Sequence, residues 1–130
     1  MAFDVQLVSP ERVLYAGEAT QVLCRTVDGG DIAFLTGHAP LIGALETWPV
    51  KVTTPDDGEL WFAVHGGFVE VSEGGVTLLS DVAEAADQID RARAEQARER
   101  AEVALRANDD DDEAKAALAR ALVRLEVAGK

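Results

Sequence analysis

The sequence is short of several things that would point to particular chemistries. One of its 130 residues is cysteine, Cys24, so no disulfide can form within the chain. A lone thiol suits a reducing compartment. There are two histidines, His38 and His65, and no Cys/His cluster at the spacing of the three or four ligands a metal needs. Basic residues are scarce, 12 Lys and Arg against 24 Asp and Glu, for a net charge of −12. That balance disfavours nucleic acid and anionic lipid as direct partners. No run approaches about 18 consecutive apolar residues, so no membrane span is expected. The opening MAFDVQLVSPERV lacks the basic and apolar regions of a secretory signal. The expectation is a cytosolic chain.

What is present divides near Ala86. Residues 1–86 hold three basic residues (Arg12, Arg25, Lys51) against 13 acidic ones, whereas 87–130 hold nine against 11. The first part is rich in Val, Gly and Thr and reads as strands. FDVQLV alternates apolar and polar residues, and TQVLCRTV, DIAFL, PVKVTT, LWFAVH, GFVEV and VTLLS follow. Turn signals separate them: Asp28-Gly29-Gly30, Asp57-Gly58, Gly66-Gly67 and Gly74-Gly75. Many short strands with glycine punctuation predict a β-sandwich or barrel. The second part, rich in Ala, Arg and Glu, reads as two helices. Asp90 is a natural N-cap for the first, which should stop near Asn108. NDDDDE is a turn whose last aspartates favour the N-terminus of the next helix. Ala94, Ala97, Ala101, Ala104 and Leu105 form one apolar face, and Ala114, Ala117, Leu118, Ala121, Leu122 and Leu125 the other. Helices joined by so short a turn pair antiparallel. Alanine favours helix but buries little area, so the hairpin should form readily and dock weakly.

Candidate sites are few. His38, within Gly37-His38-Ala39-Pro40, has no evident nucleophile or orienting carboxylate and reads as the exposed edge of a turn. The paired glycines match no phosphate-binding loop. The aspartates 109–112 lack the spacing and closing glutamate of a calcium loop. Neither a catalytic set nor a metal site emerges. The arginines say more. Arg93 and Arg100 share a face of the first helix, as do Arg120 and Arg124 on the second. If these faces meet, the guanidiniums suit a polyphosphate or carboxylates. Alternatively each pairs with a neighbour on a solvated face, with Glu95, Glu99, Glu102 and Glu126 at hand.

The whole arrangement resembles the epsilon-subunit family of F-type ATP synthases. GGDIAFLTGHAPLIGAL is similar to that family's most distinctive stretch, with Thr36 where proline is usual. GGFVEV followed by VTLLSD matches a second signature, and Asp87-Gln88-Ile89-Asp90 the entry to its helices. The resemblance implies a β-sandwich over 1–86 and a regulatory hairpin over 87–130. It implies a non-catalytic rotor subunit that needs no cofactor, peripheral on the cytoplasmic face of a bacterial plasma membrane. Its partners would be the gamma subunit and the c-ring, and the alpha/beta catalytic head when the hairpin extends to block hydrolysis. By the same likeness Asp31 would lie near the c-ring, and His38 and Glu70 near gamma. A regulatory ATP would be held through Ile89, Asp90, Arg93, Arg100, Arg120 and Arg124. Two rivals are a free-standing ATP sensor and an enzyme on a small β-fold; the second lacks any nucleophile-base set.

Overall fold

The structure, a computed structural model, describes residues 2–56 and 58–130. Strands β1 (Phe3–Val8), β2 (Val13–Ala19), β3 (Gln21–Thr26) and β4 (Gly30–Phe34) precede the long β5 (Leu41–Thr53) and β6 (Glu59–Ser72). Then come β7 (Gly75–Leu79), β8 (Ala83–Ala85), a 3-10 turn (Ala86–Gln88), and helices α1 (Arg91–Ala107) and α2 (Asp112–Ala128). The observed architecture is the expected one, a β-sandwich followed by a two-helix hairpin.

The strands form one hydrogen-bonded path, β2-β1-β7-β6-β5-β3-β4, with β8 added to β6. Long β5 and β6 serve both layers. The first half of β6 pairs with β8 at Phe62–Val64, and its second half with β7 at Phe68–Ser72. β5 lies against β6 throughout and takes β3 on its other side. Between the layers Val5, Leu7, Val22, Cys24, Val52, Val64, Val69 and Leu78 are almost fully buried. Period-2 alternation puts them there, as in β1, where Phe3, Val5 and Leu7 point inward.

Two sequence expectations change here. Gly66-Gly67 is no hairpin turn. It is a bend within continuous β6, with φ of 84° and 117°. Inward residues are even-numbered before it (Phe62, Val64) and odd-numbered after it (Val69, Val71). That phase change makes one strand read as two. Gly67 is required: a Cβ there would lie 2.0 Å from the Leu79 carbonyl oxygen. LIGAL and PVKVTT likewise fuse into β5. Strand β2 escaped the alternation because it is an edge strand whose only fully buried residue is Ala19. Gly74 lies between β6 and β7, with Ser72 opposite Gly75, and this hairpin is as expected. Asp57, half of the expected Asp57-Gly58 hairpin, lies outside the described residues.

The hairpin follows its caps. Asp90 accepts from the Arg93 N–H at 3.1 Å and Asp111 from the Ala114 N–H at 3.0 Å, and α1 ends at Asn108. Ala94 and Ala101 on α1 and Ala114 and Ala121 on α2 are buried. The second stripe needs correction. Leu122 is 47% exposed, while Val123 and Val127 pack on Ala63 of β6 beside Trp61, Ala86 and Ile89. The apolar face of α2 is wider than the hairpin seam because α2 also covers the sandwich.

Candidate functional site

Where the hairpin meets the sandwich, a cavity of about 310 Å³ is lined by Glu84, Gln88, Asp90, Arg93, Ala94 and Arg124, with Ala97 at its edge. Glu84 projects from β8, Arg93 from the first turn of α1, and Arg124 from α2. The Nε–H of Arg124 donates to Glu84 Oε1 at 2.6 Å. His65 on β6 places Nε2 3.2 Å from the same oxygen. Gln88 closes the linker side, its Oε1 accepting from Arg12 Nη2 at 2.6 Å and from the Ala85 N–H at 3.0 Å.

Arg100 and Arg120 line a second hollow of about 380 Å³ farther along the seam, with Asp111 and Glu113 at its rim. The four arginines therefore stand as two pairs in adjoining hollows that share Ala97. Of the four arginines only Arg124 is ion-paired among the described residues, and with Glu84 rather than with Glu95, Glu99, Glu102 or Glu126. Glu95 pairs with Arg98, and among the described residues Arg93, Arg100 and Arg120 have no ion pair. Four arginines in two alanine-lined hollows, three of them without an ion pair among the described residues, are suited to a multiply charged anion. Asp90 lines the first cavity while capping α1. Ile89 instead packs into the buried Ala63–Val123–Val127 cluster.

The other candidates lie on the sandwich. Asp31, on edge strand β4, is gripped by Arg25 through Nε at 2.8 Å and Nη2 at 3.2 Å. That hydrogen bond holds its carboxyl below the ordinary value. The Arg25 guanidinium also lies 3.5 Å from the centre of the Trp48 ring. His38 is not the exposed edge of its turn. Its Nδ1 lies 2.6 Å from the Leu35 carbonyl oxygen and its Nε2 3.2 Å from that of Ser72. Its ring meets Phe3 and Phe34 edge-on. The turn needs Gly37, at φ 85°, to bring the imidazole back over the sheet. Glu70 is exposed on β6 opposite Ile42 and Thr77.

Beside Glu70 runs a row no motif announced. Ala44, Phe68, Leu79, Val8 and Val13 are successive cross-strand partners over five strands. Phe68 is 58% exposed, Leu79 49% and Val13 59%, with Ile42 at 72% in the next row. Five strands span about 19 Å. An apolar strip of that length is the kind of surface a partner covers.

Sequence reasoning also missed Glu84, Gln88 and the role of His65. Only the pairing of β8 with β6 and the docking of α2 bring Glu84 to the cavity and His65 beside it. Cys24 is inert: burial, and then Asp31, pushes its thiol up to about 12. Among the described residues no three His, Cys, Asp or Glu side chains converge to hold a metal ion. No described helix is long and apolar enough to cross a membrane.

Comparison with known proteins adds the family. Residues 2–86 match the model of the ATP synthase delta/epsilon chain β-sandwich domain, and residues 87–129 that of its long α-helix domain. The chain is 46% identical over 97 residues to an ATP synthase epsilon chain of Streptomyces avermitilis, covering 75% of this chain and 77% of that one. It is 48% identical over 107 residues to one of Desulforudis audaxviator, covering 81% and 75%. In fold it is similar to a chain in the Euglena gracilis mitochondrial ATP synthase (OSCP/F1/c-ring), at a TM-score of 0.85 and 20% identity, over 99% of this chain and 82% of that one. It is less similar to a chain in the central stalk and c-ring of the Tetrahymena thermophila enzyme, at a TM-score of 0.53 and 15% identity, over 70% and 68%.

Proposed function

The chain belongs to the ATP synthase delta/epsilon chain family, and from that premise we propose that it is a non-catalytic central-stalk subunit of an F-type ATP synthase. The sandwich couples proton flow to ATP synthesis, and the hairpin restrains ATP hydrolysis. The observation that carries this reading is the apolar strip of Phe68, Leu79 and Val13 with Ile42 beside it. Such a surface is covered in the working protein, and the occupant we assign is the gamma subunit. Glu70, two residues along β6 from Phe68, borders the strip, and His38, in the turn between β4 and β5, is offered to the same partner. Asp31 and Arg25, on the β3–β4 edge, are offered to the polar loops of the c-ring. The subunit is peripheral at the cytoplasmic face of a bacterial plasma membrane, held there by its partners.

The hairpin is the regulatory part. Docked, it covers Ala63 and Trp61. Released, it presents its arginines to the acidic catalytic head. ATP between Arg93 and Arg124, with Arg100 and Arg120 behind, favours the docked form by binding it selectively.

The test is reconstitution with an F1 core depleted of its own epsilon chain. The full chain should bind and slow ATP hydrolysis. Phe68→Glu should abolish binding yet leave the chain folded, since Phe68 lies outside the core. A chain whose hairpin is cross-linked to the sandwich should bind without inhibiting. Undiminished binding by Phe68→Glu would remove the docking face, and inhibition by the cross-linked chain would remove the role of the hairpin.

A further inference from the structure

His65 sits in an unusual place. On β6 it shares a face with Trp61 and Ala63, the face α2 covers, and its side chain is only 3% exposed. Its Nε2 faces Glu84 Oε1, a carboxylate oxygen that can only accept, so Nε2 carries the hydrogen. Nδ1 is buried with no hydrogen-bond partner among the described residues. Glu84 from β8 and the Arg124 guanidinium from α2 meet beside the ring, and the charge of Arg120, also on α2, acts on it from farther along the helix. Opposite it on β5 is Thr47, which does not titrate. Among the described residues Glu84 is the one anion that acts on the ring, and Arg124 already holds it at 2.6 Å.

From this placement we infer that His65 is a proton-sensitive latch: the docked hairpin requires a neutral imidazole, and protonation of that ring releases α2 from the sandwich. A second proton must go on Nδ1, where nothing accepts it, and adds a third positive charge to a group with one carboxylate. When α2 leaves, both arginines leave with it. The ring then meets water, and Glu84 becomes its own counter-ion. The released state thus binds the proton more tightly than the docked one. Burial first, and then the two arginines, hold the His65 pKa below its ordinary value in the docked chain, against the opposing pull of Glu84. The sign follows from linkage. Docking is at full strength above the released-state value, near the ordinary 6.5 or so, and weakens as pH falls from there toward the docked value. Within that window the docking equilibrium changes by up to about ten-fold per pH unit. The inference rests on the hairpin being able to release, which belongs to the proposed function.

The experiment uses the full chain, labelled with a donor and an acceptor dye at the exposed positions Glu73 and Asn108 (E73C/N108C); Cys24 is fully buried. Energy transfer is followed from pH 8 to pH 5.5, above the carboxylate range. The released population should grow as pH falls. His65→Gln, whose amide still donates to Glu84 but does not titrate, should flatten the profile, and His38→Gln should not. In parallel, NMR titration of the His65 ring should give a lower pKa in the native chain than in Val127→Asp, where α2 is loosened. A His65→Gln profile equal to the parent's, or an equal ring pKa in both chains, overturns the latch. The ring titration decides the matter if His65→Gln does not fold. If energy transfer stays constant at every pH while the chain still inhibits hydrolysis, the latch falls and the functional reading stands. If it changes as expected in a chain that never binds the core, the reverse holds.

Discussion

Arg124 on α2 and Glu84 on β8, 40 residues apart, meet through a 2.6 Å hydrogen bond that joins the hairpin to the sandwich. Both side chains are about one-quarter exposed, so the contact is only partly screened. Glu84→Gln or Arg124→Leu should weaken hairpin docking by about 1–3 kcal/mol. Hydrogen exchange should quicken in α2, while the amides of β1 and β7 keep their protection. The double variant should cost less than the two singles together, because each removes the same bond.

Val123 and Leu122 are neighbours on α2 with opposite roles. Val123 is 5% exposed against Ala63, and Leu122 is 47% exposed. Val123→Ala should loosen docking by about 1–2 kcal/mol, and Leu122→Ala should stay within about 0.5 kcal/mol of the parent. Trp61 lies beneath the end of α2, with Lys130 Nζ 4.3 Å from its ring centre. Its fluorescence reports the difference.

Gly67→Ala should destabilise the sandwich by at least about 2 kcal/mol, from a positive φ and a clash with the backbone at Leu79. Gly74, whose added Cβ meets nothing within 4 Å, is the control. Gly74→Ala should be close to neutral. Urea unfolding of both variants checks the pair.

Asp31 titrates below its ordinary value because Arg25 donates to it. A lowered carboxylate value means that its contribution is present above about pH 3.9 and lost as pH falls through the native value. Arg25→Gln should raise the Asp31 pKa toward the ordinary value. A carboxyl NMR titration of both chains shows this.

Arg93 lines the cavity between hairpin and sandwich, and Arg106, exposed in the last turn of α1, does not. Arg93→Ala should weaken ATP binding about ten-fold or more, the worth of one charge-assisted contact. Arg106→Ala should leave it unchanged. Calorimetric titration of the full chain separates the two, and equal affinities would remove the nucleotide reading.

Local signals carried much of this structure. Alternation in FDVQLV named β1, and VTLLS between its turn signals named β7. Asp90 and Asn108 bounded the first helix, because a cap is a short-range hydrogen bond between a side chain and amides a few residues on, and the aspartates of NDDDDE marked the start of the second through the helix dipole. The candidate arginines were visible through helical spacing, which places side chains on a face whatever surrounds the helix. What escaped is what needs a distant partner. Gly66-Gly67 reads as a turn until Leu79 is known to lie across it. The strip from Ala44 through Phe68 and Leu79 to Val13 crosses five strands, each ordinary alone.

The sequence by itself determined the two-part layout, the helix ends and most inward-facing positions, since these depend on periodicity and nearest-neighbour chemistry. Only the tertiary structure decided that α2 lies on Ala63, that Arg124 and His65 share Glu84, and that the arginines stand as two pairs. Those relations depend on how far two folded layers approach, and burial and low dielectric exist only once they have met.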